Sequence, residues 1–267
     1  MPVCYPLSLE FYFGSKGVLA KLRSPFQLRT GARLTTALAW LLILTAAPGC
    51  SLIPSQKSYF PLRQGMEWKY HKWEVGADTL TGSGFAPVQS RVASVVNLAP
   101  DQLADGRRVT PQSIDDPGHG GIYREFYLED EQGIAHVAEQ LARQKTPQVS
   151  PPSYVIKYPI ELGATWEESS SSWLMLRIPV HLKYTIESVD DTVTVPAGTF
   201  RHCVRIALQG RGSKYFVGTP IETTVTEAYW LARGVGLVRK VHSESLHDPW
   251  RPFGARTIAF ELQSTGD

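Results

Sequence analysis

Cysteine is scarce in this chain of 267 residues, which has only three, at positions 4, 50 and 203. We expect Cys4 and Cys50 to fall in or at the end of a leader segment, so that Cys203 alone remains in the folded part. After processing at Cys50, an intradomain disulfide is therefore excluded. The remaining body of roughly 215 residues must rest on a hydrophobic core, which a chain of that length can build.

Long basic runs are also missing. The formal net charge is +2, but five of the 27 Lys and Arg residues and only one of the 25 Asp and Glu residues precede Cys50. The rest of the chain carries 22 basic and 24 acidic residues. Because nucleic-acid-binding domains present a clustered positive surface, this near-neutral body excludes nucleic acid as a partner.

Recognisable catalytic and metal-binding motifs are lacking as well. The seven histidines form no H-x-x-x-H pair and no H-E-x-x-H motif. His202 and Cys203 are adjacent, but neighbours on a strand point to opposite faces, so we interpret Cys203 as a buried structural residue rather than a thiol nucleophile. His119 lies in a polar stretch that superficially resembles an oxyanion loop, but the chain has no G-x-S-x-G partner motif. We predict no catalytic residue, no metal and no cofactor.

A short apolar run is present near the N-terminus, over residues 34–47, after Arg29 and Arg33. A basic region, an apolar stretch of about 14 residues and small residues before a cut site are typical of an export signal, because a membrane-spanning helix needs about 20. Residues 1–49 are therefore predicted to be a signal peptide. The alternative is a core helix or a plain secretory signal with an incidental cysteine.

The run ends in Ala47-Pro48-Gly49-Cys50, which resembles the lipobox of a bacterial lipoprotein. Ala47 departs from the leucine usual at that position, and Pro48 is unusual there. The resemblance implies acylation of Cys50, palmitate included, and attachment to a membrane through several acyl chains. Ser51 in the next position implies sorting to the outer membrane, facing the periplasm, with residues 50–58 as a tether.

An internal repeat follows. The spacing aromatic, proline, aliphatic, glycine and tryptophan in residues 60–68 recurs in residues 158–166. We interpret this as two similar modules, at 59–148 and 154–260, with a proline-rich connector at 149–153 and a tail at 261–267. Chance similarity between two hairpins is the alternative. Fainter matches, a tyrosine at Tyr127 and Tyr229 before a later Gly-aliphatic pair, support the repeat.

Most of the body shows the alternation of half-buried strands, as in Val204, Ile206 and Leu208. The predicted fold is mainly β: a curled antiparallel sheet or half-barrel built from two similar modules, with little helix. Residues 134–144 are the one helix candidate, and they could equally begin as a strand. We predict turns at 196–199 and 234–236, a hairpin tip at 210–213, and exposed loops at 115–121 and 169–172.

Three motifs of the body together carry a family resemblance. They are residues 59–62 with Gly65 and Trp68, residues 195–200 with Cys203 and Val204, and Tyr229-Trp230 with residues 234–238. These motifs resemble those of a family of bacterial envelope lipoproteins of unknown function. The resemblance spans most of the chain after Cys50 and implies a sheet like the open half-barrels of periplasmic lipoprotein carriers, with no catalytic residues to transfer.

Aromatic residues on the strands indicate a function. A curled sheet with a concave aromatic face could hold an acyl chain, and the residues we assign to such a site are Trp68, Tyr70, Trp166 and Trp230. Filling of the core by these side chains is the alternative. The sequence thus predicts a non-catalytic, membrane-anchored envelope lipoprotein that binds a lipid or a protein partner. The competing hypothesis is a hydrolase or thiol enzyme with a site assembled from distant residues.

Overall fold

The computed structural model describes residues 59–77, 89–117, 121–172, 177–248 and 251–266. These residues contain thirteen β-strands, and no helix is found among them. Nor does that part of the chain contain a helix long and apolar enough to cross a membrane. The strands are β1 Glu67–Ala77, β2 Gln89–Asn97, β3 Asp101–Gln102, β4 Arg108–Asp116, β5 Gly121–Glu129, β6 Gly133–Gln140, β7 Gln148–Lys157, β8 Thr165–Ser171, β9 Pro179–Val195, β10 Gly198–Phe216, β11 Thr219–Ala232, β12 Gly236–Asp248 and β13 Arg251–Gly266.

The strands form one antiparallel sheet in which most strands pair with the next strand along the chain. The order is β7-β6-β5-β4-β2-β1-β13-β12-β11-β10-β9-β8, and the short β3 pairs with β4. The last strand therefore returns to pair with the first, from Glu67 opposite Gly266 to Ala77 opposite Ala255. The result is a nearly closed, barrel-like sheet, which confirms the prediction of a mainly β, curled antiparallel fold.

The sheet is open at one seam, between the edge strands β7 and β8. Side chains bridge it: the Glu168 carboxylate accepts a hydrogen bond from the Tyr154 amide at 2.5 Å, and the Trp166 indole donates to the Tyr154 carbonyl at 3.2 Å. From β11, the Tyr229 hydroxyl donates to the Val155 carbonyl. These contacts pair edge groups that would otherwise lack strand partners.

The two copies of the repeated motif have the same local structure. Gly65 and Gly163 both adopt positive φ, 81° and 83°, at a turn two residues before a strand. The amide of Gly65 donates to the Asn97 carbonyl at 2.9 Å, and that of Gly163 donates to the Ile186 carbonyl at 2.8 Å. Each motif begins a run of six successive strands of the sheet: β1, β2 and β4 to β7 after the first, and β8 to β13 after the second.

Side chains on the inner face form the main core. In β9 the burial alternates, with Val180, Leu182, Tyr184 and Ile186 buried between more exposed residues. This is the pattern expected of a strand with one face toward the interior. A second buried cluster joins the end of the β9–β10 hairpin to β1, β11, β12 and β13. Its members are Trp68, Tyr70, Val193, Val195, Cys203, Ala232, Val238 and Leu262.

The structure differs from several local predictions. Residues 134–144, the helix candidate that could equally begin as a strand, are largely strand β6, in which Ile134, Ala135, Val137 and Ala138 are all buried. Burial on both faces removes the alternation that identifies a strand. The proline-rich segment at 149–153, predicted as a connector, lies within β7 and pairs with β6 through register shifts. The tail at 261–267 belongs largely to β13, which pairs with β1 as far as Gly266.

The predicted hairpin tip at 210–213 lies inside β10. Its glycines serve close packing: an added Cβ would meet the His181 carbonyl oxygen at 2.5 Å from Gly210, and the Pro179 carbonyl oxygen at 2.0 Å from Gly212. The 169–172 loop is mostly the end of β8, and residues 115 and 116 of the predicted 115–121 loop end β4. The predicted turns at 196–199 and 234–236 are confirmed, at residues 196–197 and 233–235.

Candidate functional site

The inner face of the sheet encloses a cavity of about 640 Å³. This volume falls within the range of about 300–1,000 Å³ that is typical of small-molecule sites. The cavity lies against the first half of the sheet, with β12 and β13 completing its wall. Its apolar lining includes Trp68, Tyr70, Val95, Tyr127, Ile258 and Phe260.

A second cavity of about 230 Å³ lies against the other half of the sheet and directly behind the seam. Tyr154 of β7 and Ser170 of β8 both line it. Phe60, Tyr127, Leu237 and Lys240 line both cavities, and the ring centroids of Phe60 and Tyr127 are 5.1 Å apart. The two cavities therefore adjoin each other inside the described part of the sheet.

Two of the four aromatic residues predicted to bind a ligand line the larger cavity. Trp68 and Tyr70 are buried on the inner face of β1. The Trp68 indole donates to the Val235 carbonyl at 2.6 Å, and the Tyr70 hydroxyl donates to the Leu237 carbonyl at 3.0 Å. Burial raises the pKa of Tyr70 well above its usual range. Both side chains are thus fixed in position and keep their polar atoms satisfied.

Trp166 and Trp230, the other two predicted residues, do not line the larger cavity. Trp166 stacks on Tyr184 in the main core, with ring centroids 4.9 Å apart and planes at 11°. Trp230 is on the opposite face of β11 from the buried Tyr229. There it lies between two guanidinium groups, with the Arg205 and Arg239 carbons 5.3 and 5.4 Å from its ring centroid. These two tryptophans stabilise the sheet rather than line the larger cavity.

The cavity wall also carries charge. Lys72 follows Trp68 and Tyr70 on the inner face of β1, and its ammonium is 2.5 Å from the Asp116 carboxylate. The two side chains are only 6% and 4% exposed, so this is a buried ion pair. The Tyr127 hydroxyl donates to Glu125 at 2.5 Å. Other polar side chains that line the cavity are His136, Glu139, Arg177, Lys240 and Arg256.

A second charged cluster lines the smaller cavity. Glu227 accepts hydrogen bonds from His242 Nδ1 at 2.8 Å and from the Lys240 ammonium at 3.0 Å, while His242 Nε2 is 3.2 Å from Glu244. Burial by itself would raise the pKa of Glu227, but Lys240 and His242 hold it below its usual value. For His242, burial lowers the pKa, but the two glutamates outweigh it and raise the pKa.

Sequence patterns did not identify these charged residues as a site. The sequence predicts an exposed loop at Asp116, but the residue is buried at the end of β4. Lys72 could have been found, because a charge that alternates with Trp68 and Tyr70 must lie on their face of the strand. Glu227 and His242 come from different strands and become neighbours through the register of β11 with β12. Nothing local in the sequence marks that pairing.

The His202–Cys203 pair separates as expected. Cys203 is fully buried, and burial together with the Asp191 carboxylate raises its pKa to about 11. His202 is exposed and contacts Asp190 at the surface. A thiol with this pKa is protonated at neutral pH and is a poor nucleophile. Across the described ranges, no group of three or more His, Cys, Asp and Glu side chains is placed to hold a metal ion. Cys50 and His119 lie outside the described residues.

Comparisons with known proteins give two similar solved structures. One is a "putative lipoprotein" from Parabacteroides distasonis, with 16% identity, and the other is a "putative exported protein with YmcC-like fold" from Bacteroides fragilis, with 11% identity. Each alignment covers 78% of this chain and 98% of the other chain, with a TM-score of 0.36. No protein-family model matches the sequence, and no curated protein matches it.

Proposed function

We propose that this chain is a non-catalytic, membrane-anchored lipoprotein of the bacterial envelope that binds a lipid inside its sheet. The observation that carries the proposal is the cavity of about 640 Å³, in which fixed aromatic side chains and inward-facing charges share one wall. A site with an apolar body and a few polar groups is suited to an amphipathic ligand. Cys50 supplies the anchor in this proposal, and the outer membrane is the expected location.

The two ends of the cavity differ in a way that suits such a ligand. At one end Gly236 is tightly packed, since an added Cβ would lie 3.2 Å from Pro61 and 3.9 Å from Trp68. At the other end are Arg256, near the last residues of β1, and Arg177, just before β9. We assign the acyl part of the lipid to the packed aromatic end and its polar headgroup to the end with the arginines.

The chemistry of the site favours binding over catalysis. The buried charges are engaged with one another, as Lys72 is with Asp116, and Cys203 is a protonated thiol in the core. These groups stabilise the interior, and the headgroup is assigned to the end of the cavity that carries Arg177 and Arg256. We therefore favour a binding protein over the hydrolase or thiol enzyme that was the competing hypothesis.

A cavity-filling substitution tests the proposal. Ala93 is 1% exposed, lines the cavity and lies opposite Tyr70 on the neighbouring strand. In Ala93→Phe, we expect the phenyl ring to occupy the ligand volume and to weaken binding of a dansyl-labelled fatty acid at least about tenfold. Val92→Phe is the matched control, because Val92 is adjacent in sequence and 49% exposed. Equal affinities for the two variants, with both folded by circular dichroism, would contradict the proposal.

The lipid and the anchor can be examined on the protein extracted from its own membrane. Native mass spectrometry should show a bound lipid that is absent from Ala93→Phe. A stoichiometric protein partner without lipid would instead support the protein-binding alternative. For the anchor, incorporation of radiolabelled palmitate should be lost in Cys50→Ala, and equal labelling of both proteins would refute acylation at that residue.

A further inference from the structure

The β10–β11 hairpin extends beyond the strands on either side. The pairing of β10 with β9 ends at Arg211, opposite His181, and the pairing of β11 with β12 ends at Glu222, opposite His247. The two strands continue to pair with each other as far as Phe216, opposite Thr219. Residues 213–220 therefore form a two-stranded projection, which we call the finger.

The tip of the finger is apolar and exposed. Tyr215, Phe216 and Val217 are 77%, 47% and 89% exposed, and they are consecutive in sequence. Single exposed apolar residues are common, but three at the end of one projection form a concentrated apolar surface. Lys214, which is also exposed, lies next to them. Aromatic, aliphatic and cationic side chains are thus combined at one convex tip.

The turn itself contains a residue that its backbone disfavours. Val217 and Gly218 have φ of 50° and 79°, which is the pattern of a type I′ turn. Asn-Gly is preferred there, because a β-branched side chain is strained at positive φ. Since Val217 is 89% exposed, packing within the fold does not compensate for this strain. An apolar side chain thus occupies a turn position that favours a polar one such as asparagine.

The base of the finger adjoins the end of the larger cavity that carries Arg177. Ile221, at the start of β11, packs with Ile178 and Leu246 in a small buried cluster. Ile178 directly follows Arg177, which lines that cavity. Gly212 packs against Pro179 in the same segment. The apolar tip therefore projects from the end of the sheet at which we place the lipid headgroup.

We infer that the finger inserts into the surface of a lipid bilayer and places the end of the cavity that carries Arg177 and Arg256 against it. A narrow convex tip can enter the interfacial region, whereas a protein partner is usually met by a broader surface. Tyrosine is favoured at the boundary between headgroups and acyl chains, and lysine is favoured near anionic lipids. The inference rests on the proposed lipid-binding function and adds the membrane as the source of the lipid.

The test uses the full chain with Cys4→Ala and Cys50→Ala, so that a single introduced cysteine can be labelled while Cys203 stays buried. An environment-sensitive fluorophore is attached at Val217→Cys or, as the control, at Leu162→Cys. Leu162 is 67% exposed and precedes β8 at the opposite end of the sheet. The vesicles contain phosphatidylethanolamine with a minority of phosphatidylglycerol.

We expect the emission at position 217 to shift to shorter wavelength and to rise several-fold with vesicles, and to be quenched by lipids carrying a nitroxide. Emission at position 162 should stay unchanged. An unchanged spectrum at position 217, or equal changes at both positions, would overturn the inference. A shift caused by a membrane-free envelope protein fraction but not by vesicles would replace the bilayer with a protein partner.

A second variant separates this inference from the proposed function. Phe216→Ser combined with Val217→Asn removes apolar surface and restores a favoured turn, so its thermal stability should equal or exceed that of the parent chain. Its affinity for a dansyl-labelled fatty acid in solution should be unchanged, while its uptake of labelled lipid from vesicles should slow at least fivefold. Unchanged uptake would refute membrane insertion by the finger. If the parent chain inserts into vesicles but binds no fatty acid, the proposed lipid-binding function is refuted and membrane insertion by the finger is supported.

Discussion

The buried ion pair between Lys72 and Asp116 leads to a quantitative prediction. At an effective dielectric constant of about 20, two unit charges 2.5 Å apart attract each other by about 7 kcal/mol. Removing each ion from water costs several kcal/mol, so the intact pair contributes little net stability. Lys72→Met removes the attraction but leaves the Asp116 carboxylate buried. We expect this variant to lose about 3–5 kcal/mol of unfolding free energy.

Replacing Asp116 instead of Lys72 should cost less unfolding free energy. In Asp116→Leu the ammonium of Lys72 remains, but its long side chain can move the charge toward water in the cavity. The double variant Lys72→Met/Asp116→Leu should recover most of the unfolding free energy that Lys72→Met loses, because two apolar side chains then meet. The methionine can also pack on the Phe260 ring, whose centroid lies 5.3 Å from the Lys72 ammonium in the parent chain. The coupling energy should therefore exceed about 2 kcal/mol.

The assay is urea unfolding followed by tryptophan fluorescence. The matched control is the surface pair Arg205–Glu187, at 3.2 Å with side chains 41% and 43% exposed, for which Glu187→Ala should cost less than about 1 kcal/mol. If Lys72→Met costs no more than this control, the interior at Lys72 is as well hydrated as the surface. The description of a largely buried cavity wall would then be wrong.

Two further predictions concern the backbone and pH. Gly133→Ala should lower the unfolding free energy by more than about 2 kcal/mol, because its Cβ would lie 2.0 Å from the Ile156 carbonyl oxygen. Gly65→Ala is the control: at φ 81° with open space around it, it should cost about 1 kcal/mol. Both losses are measured by urea unfolding, and equal losses would contradict this prediction. The pKa of His242 is raised in the folded chain, and that of Glu227 is lowered. The stability that His242 contributes is therefore complete below its unfolded pKa of about 6.5 and is lost as pH rises through its folded pKa. The stability that Glu227 contributes is lost as pH falls through its folded pKa. The difference in unfolding free energy between the parent chain and His242→Gln should therefore shrink as pH rises above about 6.5, and a pH-independent difference would refute the coupling.

Local patterns predicted the strands well where one face is buried. The alternation of Val204, Ile206 and Leu208 was correctly assigned to a strand, because the interior takes every second side chain. The alternation in β1 also separated Trp68 and Tyr70 from their outward-facing neighbours. The same rule failed in β6, where Ile134 and its neighbours are buried on both sides.

Glycine gave a wrong turn prediction where it serves close packing between strands. Gly210 and Gly212 were assigned to a hairpin tip, although both lie in β10 and allow close approach of the β9 backbone. The true tip is at Val217 and Gly218, where a valine occupies a position that usually signals a turn by asparagine or glycine. A sequence rule based on residue preference cannot find a turn that violates the preference.

The sequence by itself determined that this chain forms a β-rich fold with a repeated Gly-x-x-Trp turn, and it indicated an export leader ending at Cys50. These features depend on short spacings along the chain, which local sterics and side-chain alternation control. Only the tertiary structure decided that β13 pairs with β1 in a single nearly closed sheet, that the sheet encloses a cavity, and that Lys72 meets Asp116 inside it. Those facts depend on the register between strands far apart in sequence, because register decides which side chains share the interior.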